Sequence, residues 1–348
     1  MTARLGASAT AGRIRTVEGD RDFTADPAVG AVAAFAHVVA DWRALADRGG
    51  DDPLPSEIQV EAARTTGDAL LAAFLGLRAR GVGLVLDAAP PGSGRDPMRL
   101  HDLAQASGIA IVACTGAHAH PTRLARVEER SGALLAEWFA FEIGMGIAAV
   151  AGDRMRGMAL LSDRATGAAS DVLNDAAIRA GAIRITFASA ILDRTDRNVL
   201  EAAAITAAAM GVATFIDAPP GTDLREVASR FEQDGGDPSR LILVPGSRLP
   251  EDIVAAAGLG FAVVVPSPAT DAEGPVAMWS ATLRGLARTG LLDRAMATFP
   301  VPAAIADDPV IVPSARANGL VAPVDGLDDR AMEAVAARNA LRLLCLSS

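Results

Sequence analysis

The sequence predicts an α/β fold in which eight parallel strands close into a (β/α)8, or TIM, barrel. Eight short runs of Val, Ile, Leu and Ala end in Gly, Pro, Asp or His, and helix-length segments separate them. This alternation is typical of parallel strands joined by right-handed crossovers. Eight such repeats close a barrel more naturally than they extend an open sheet. A doubly wound open sheet is the alternative, although no Gly-x-Gly-x-x-Gly motif follows the first strand.

The elements follow one another in a regular order. A polar leader, 1–28, contains a short strand at 13–17 that Gly19 and Asp20 close, and a single barrel domain spans 29–348. The predicted barrel strands are 29–38, 82–87, 109–115, 182–187, 213–217, 241–244, 261–265 and 295–299. Among the helices, we predict one at 55–80, which ends at a Gly, and another at 131–150. The segment 151–175 is rich in Gly, Asp, Arg and Ser, which favours an elaborated loop.

Composition excludes several classes of protein. The formal net charge of −10 disfavours nucleic acid as a partner, because such binding needs a clustered basic face. No uninterrupted apolar run is long enough for a membrane span, and the first residues do not form a signal peptide, so we expect a cytoplasmic protein. Two cysteines make no disulfide framework, and Cys114 is expected in the core. The chain contains no Lys, which excludes a Schiff base or a carbamylated lysine.

Several segments resemble the phosphotriesterase family of the amidohydrolase superfamily. The strongest resemblance is the loop after the second strand, where Asp87 opens a Pro- and Gly-rich run that ends at Asp96 and Pro97. The other similar segments are 13–19, 109–116, 180–185, 236–243 and 326–344. They span nearly the whole chain in the order of the family. The resemblance therefore implies the same barrel.

The resemblance also implies a pair of divalent metals at the mouth of the barrel, bridged by a carbamylated Lys and a hydroxide. Its ligands are a His-x-His pair on strand one, the Lys on strand four, a His on each of strands five and six, and an Asp on strand eight. The matching positions of this sequence are Phe35 and His37, Arg184, Asp217, Pro245 and Pro300. Only His37 keeps the family's residue. Phe and Pro offer no lone pair, and Arg has donors only and a fixed positive charge.

Two other kinds of chemistry stay open at the mouth. His37, His118, His120 and Asp217 have the residue types of a relocated site for one divalent metal such as Zn. The competing interpretation is that His118 and His120 are ordinary loop residues. Alternatively, Asp217 and His37 act as acid and base without a metal. Arg184 has two interpretations of its own: an ion pair with Asp217 that fills the space of the metals, or a binding group for a carboxylate or phosphate.

The sequence therefore predicts a barrel whose inherited metal chemistry is lost: a pseudoenzyme without a cofactor that binds a small organic ligand at its mouth. It would act alone, as a homodimer, or in a hetero-oligomer with an active paralogue, with neither nucleic acid nor membrane as a partner. The alternative is a phosphotriesterase-like hydrolase of esters, lactones or phosphotriesters, which uses the relocated metal site or metal-free catalysis.

Overall fold

A computed structural model describes most of the barrel. The described residues are 13–23, 31–36, 67–89, 91, 96–119, 125–147, 178–245, 248–266, 273–298 and 323–347. Ten strands lie in this part of the chain, and their bounds are β1 Arg13–Thr16, β2 Gly19–Asp22, β3 Ala31–Ala36, β4 Val82–Asp87, β5 Ala110–Ala117, β6 Ala180–Thr186, β7 Ala213–Asp217, β8 Leu241–Val244, β9 Ala262–Pro266 and β10 Ala295–Thr298.

The barrel is confirmed. Strands β3 to β10 form one sheet in sequence order, and each neighbouring pair is parallel. Strand β10 lies beside β3, so the sheet curves round until its first and last strands meet. A doubly wound sheet would reverse its strand order at a switch point and leave both edges apart. The open-sheet alternative is therefore wrong.

Helices surround the sheet, as expected for parallel strands that are buried on both faces. Their bounds are α1 Gly67–Ala79, α2 Pro97–Ser107, α3 Ala125–Glu128, α4 Gly132–Gly144, α5 Arg194–Met210, α6 Leu224–Gln233, α7 Pro250–Gly258, α8 Glu273–Arg288, α9 Asp329–Glu333 and α10 Asn339–Leu344, with a π-helical turn at Ala334–Arg338 between the last two. Asp96 caps the start of α2, because its carboxylate accepts from the Arg99 N–H. None of the helices in the described ranges is long and apolar enough to cross a membrane.

Most strand bounds differ from the prediction by one or two residues, and three of the differences occur at glycines. The leader strand is a hairpin, since Gly19 (φ 121°) turns the chain into β2 instead of ending the pairing. Strand β5 continues to Ala117 because Gly116 extends it, whereas the prediction ended before this glycine. Helix α4 ends at Gly144, six residues early, where Gly146 takes a positive φ of 133°. Residues 55–66, 148–150 and the predicted loop 151–175 lie outside the described residues.

The amino-terminal end of the barrel is closed by the hairpin of β1 and β2 and by helix α10. Ile14 and Phe23 of the hairpin pack with Leu343 and Leu344 of α10 against the residues that the sheet encloses. The Val17 N–H donates to the Ile111 carbonyl, and the Leu346 N–H donates to the Arg13 carbonyl. The hairpin and the carboxyl-terminal segment thus meet below the strands. The opposite end, where the parallel strands finish, is the mouth.

Gly181 makes this closure possible and provides a test of it. A Cβ at this position would collide with the Arg15 carbonyl oxygen, and Val112 lies 2.9 Å away. We expect Gly181→Ala to lower the free energy of unfolding by about 3 kcal/mol, because neither backbone can give way. Gly76→Ala on α1 is the matched control: its Cβ would meet open space, and it should stabilise by up to about 1 kcal/mol. Urea denaturation of both variants checks this, and equal effects would contradict the close approach.

Candidate functional site at the barrel mouth

The site is formed where β5, β6 and β7 finish side by side. Arg184 of β6 lies opposite Gly116 of β5 and Phe215 of β7, and Thr186 lies opposite Asp217. Side chains alternate along a strand, so Arg184 points to the same side as Ala182, and Asp217 to the same side as Phe215. Both Ala182 and Phe215 belong to the enclosed core. Arg184 and Asp217 therefore project into the mouth.

Gly116 lets β5 approach the backbone of Arg184. It has a φ of 124°, and a Cβ there would collide with the carbonyl group of Arg184. A side chain would thus be strained by the backbone conformation and blocked by the neighbouring strand. The sequence marks this glycine only as the end of a strand, but in the structure it sets how closely β6 lies beside β5.

The guanidinium of Arg184 is buried between a backbone carbonyl and a carboxylate. One terminal nitrogen donates to the Ala88 carbonyl at 2.8 Å, and the other lies 3.4 Å from Oδ2 of Asp217. The Arg184 side chain is 3% exposed and that of Asp217 is 33% exposed. Burial lowers the pKa of Arg184, and the negative charges of Asp217 and Asp87 act against this shift. The ion pair predicted from the sequence is present.

A second arginine, which the sequence analysis missed, holds the loop after β7. Arg248 lies four residues beyond the end of β8 and is 5% exposed. Its two terminal nitrogens donate to the carbonyls of Ala218 at 2.6 Å and Pro219 at 2.9 Å, directly after Asp217. Burial lowers the pKa of Arg248, and the negative charges of Asp217 and Asp252 only partly offset this shift. Only the folded loops bring these groups together, so no local motif could have identified Arg248.

The other predicted site residues are described only in part. Pro245 directly follows β8, as predicted. His118 comes just after β5, is half-buried, and has Nδ1 3.4 Å from the Ala119 carbonyl oxygen. His37, His120 and Pro300 lie outside the described residues, as does the side chain of Phe35. The relocated metal site and the acid and base pair therefore stay predictions.

Comparison with known proteins tests the family resemblance that the sequence predicts. The model of the phosphotriesterase family matches residues 55–153. The family resemblance is confirmed. The matched segment runs from α1 through α4 and stops before Arg184, Asp217 and Pro245. The family signal and the altered ligand positions therefore lie in different parts of the chain.

Solved structures share the phosphotriesterase fold along nearly the full length. The phosphotriesterase homology protein from Escherichia coli, complexed with phosphate in its active site, gives a TM-score of 0.66 at 19% identity over 91% of this chain and 99% of its own. An amidohydrolase from Mycoplasma synoviae gives 0.70 at 16% identity over 97% and 93%. A protein from the engineering of organophosphate hydrolysis on a weak promiscuous lactonase template gives 0.66 at 19% identity over 95% and 99%. No curated protein sequence matches significantly.

The mouth does not fit the metal pair of the phosphotriesterase family at the positions that the structure describes. Arg184 carries a donor-only cation where the bridging Lys is expected, and Pro245 has no side-chain lone pair. Within the described ranges, no three His, Cys, Asp or Glu side chains form a group that could hold a metal ion. We therefore derive no metal-dependent step at these positions.

The burial difference between Arg184 and Asp217 predicts unequal effects of their removal. Asp217→Ala leaves a buried cation without this counter-charge, so we expect a loss of about 2 kcal/mol in the free energy of unfolding. Arg184→Met removes the buried charge and fills similar volume but takes one counter-charge from the buried Asp87, so we expect a smaller loss, of about 1 kcal/mol. Chemical denaturation of both variants and of the double variant measures the coupling. A larger loss for Arg184→Met would contradict this account of the pair.

Proposed function

We propose that this protein is a non-catalytic barrel of the phosphotriesterase type that binds a small organic ligand at its mouth. The observation that carries the proposal is the Arg184 guanidinium, buried where the family has its bridging Lys and bonded to Ala88 and Asp217. A fixed positive charge at this point repels the cations that the family's reaction needs. The side chain also cannot be deprotonated to become a ligand.

The neighbouring positions support the same conclusion. Asp217, in place of the His on strand five, has one oxygen directed at Arg184. Pro245, in place of the His on strand six, has no lone pair to offer. The family's reaction uses a metal-bound water activated between two ions. No Lys exists anywhere in the chain to form the bridging carbamate.

The proposal that a ligand binds here rests on the shape that the fold retains. Binding sites of (β/α)8 barrels lie at the carboxyl ends of the strands, whatever chemistry they perform. The Escherichia coli structure holds phosphate in its active site, and another neighbour derives from a lactonase. The position of the mouth therefore favours a small molecule as the ligand.

The metal content of protein purified without chelators tests the proposal. We expect Zn, Mn and Co well below one equivalent per chain. We also expect no hydrolysis of paraoxon, phenyl acetate or a γ-lactone above the buffer rate, with or without added metal. Stoichiometric metal together with metal-dependent hydrolysis would overturn the proposal.

Histidine variants separate the alternatives if metal is found. A relocated site predicts that His37→Ala, His118→Ala and His120→Ala each lower the metal stoichiometry. His101→Ala on α2 is the matched control, since it removes the fourth His of the chain from a helix outside the mouth. Hydrolysis by metal-free protein that Asp217→Asn abolishes would instead support acid and base catalysis.

A further inference from the structure

Four of the charged residues that the structure describes at the mouth, Asp87, Arg184, Asp217 and Arg248, differ in how accessible they are to a ligand. The side chains of Asp87 and Arg184 are 0% and 3% exposed, and Arg248 is 5% exposed. Asp217 has a third of its side chain open to solvent. A molecule entering the mouth therefore meets the Asp217 carboxylate before it meets either guanidinium.

The donors of the two arginines are directed at the protein itself. Arg184 donates to the Ala88 carbonyl, and Arg248 donates to the carbonyls of Ala218 and Pro219. These bonds tie the loop after β4 to β6, and the loop after β7 to the loop after β8. The arginines thus fix the position of Asp217 and present few donors to a ligand.

The charges of this group balance one another. Arg184 and Arg248 contribute two positive charges, and Asp87 and Asp217 contribute two negative ones; Asp217 interacts with both arginines. Asp252 also acts on Arg248, but it is exposed on α7, where solvent screens its charge. A charged ligand would therefore add an uncompensated charge near buried groups, which is costly. A carboxylate accepts hydrogen bonds and cannot donate them. The group is thus suited to a neutral molecule that donates a hydrogen bond to the Asp217 carboxylate.

The loops around this group present apolar surface. Ile191, in the loop after β6, is 84% exposed, and Leu249, in the loop after β8, is 56% exposed. The loop after β7 lies between them in the sheet order, and a Cβ on its Gly221 would be 3.7 Å from that of Ala190. Ile191 and Leu249 thus lie on the two loops that flank the loop following Asp217, and exposed apolar side chains around a polar group are typical of ligand sites.

We propose that the mouth binds an uncharged small molecule that donates a hydroxyl or N–H group to Asp217 and places an apolar body against Ile191 and Leu249. This inference rests on the proposed function, because a metal at the mouth would change both the charge and the ligand. It narrows the ligand from small molecules in general to neutral donors.

Four probes with one aromatic body test the class of ligand. Benzyl alcohol is a neutral donor, benzyl methyl ether lacks the donor, benzylammonium is a cation, and benzoate is an anion. Saturation-transfer NMR and titration should show benzyl alcohol binding several-fold more tightly than the other three. Preference for benzoate would mean that the arginines bind the ligand, and preference for benzylammonium would mean that Asp217 acts as an uncompensated charge. Either result, or no binding of benzyl alcohol, overturns the inference.

Variants locate the binding of the probe. Asp217→Asn keeps the shape of the side chain but weakens the acceptor, and it should lower the affinity for benzyl alcohol. The double variant Arg184→Met/Asp217→Ala removes the acceptor without leaving a buried cation. We expect it to lower the affinity about tenfold, the value of one hydrogen bond. Unchanged affinity in the folded double variant would exclude Asp217 as the acceptor.

A pair of surface variants tests the apolar contact. Ile191→Ser should weaken the binding of benzyl alcohol several-fold. Leu75→Ser is the matched control, since Leu75 is 47% exposed on α1, and it should leave the binding unchanged. Equal effects would mean non-specific adsorption and would contradict the site. Stoichiometric metal in the same preparation would refute the proposed function, whereas metal-free protein without this preference refutes the inference alone.

Discussion

The arrangement of the mouth depends on one buried cation, the guanidinium of Arg184. A charge that is 3% exposed must be compensated within the protein, because burying it alone costs several kcal/mol. The Ala88 carbonyl compensates it from the loop after β4, two strands away, and the Asp217 carboxylate compensates it from β7, the strand next to β6. Gly116 allows the close strand approach at this level. The loops after β4 and β7 are thereby tied to the middle of the mouth.

Arg248 extends this constraint to the next strand along the sheet. Its bonds to Ala218 and Pro219 hold the backbone that directly follows Asp217, so that carboxylate is fixed through its own side chain and through its loop. Four strand ends, β4, β6, β7 and β8, are thus joined by donors from two arginines. The resemblance implies that, in the phosphotriesterase family, metal ions join three of these ends, those of β6, β7 and β8, to the first and last barrel strands. In this protein, hydrogen bonds from two arginines join β6, β7 and β8, and they also reach the loop after β4.

The fold could be predicted from the sequence because buried parallel strands form apolar runs that do not depend on distant residues. The bounds of β4, β7 and β8 agree with the prediction, since polar or Gly-rich segments flank them. The strand β2 was missed because its Gly-Asp-Arg-Asp sequence has no apolar alternation. At the site, the resemblance to the phosphotriesterase family identified Arg184 and Asp217 as residues of the mouth. Arg248 could not be found in this way, because its partners lie 29 and 30 residues away and meet it only through folded loops.

The two ends of the barrel are constrained in different ways: the amino-terminal end by packing, and the mouth by the balance of its charges. The amino-terminal end is packed with the hairpin and α10, and backbone bonds such as that from Leu346 to Arg13 join the chain ends there. Residues at the mouth can change without disturbing that packing, provided that their charges stay balanced. The family model matches residues 55–153, and positions 184, 217 and 245, which the resemblance aligns with metal ligands, lie beyond that segment. The barrel is therefore evidence of shape, and the function has to be argued from the charges that occupy its mouth.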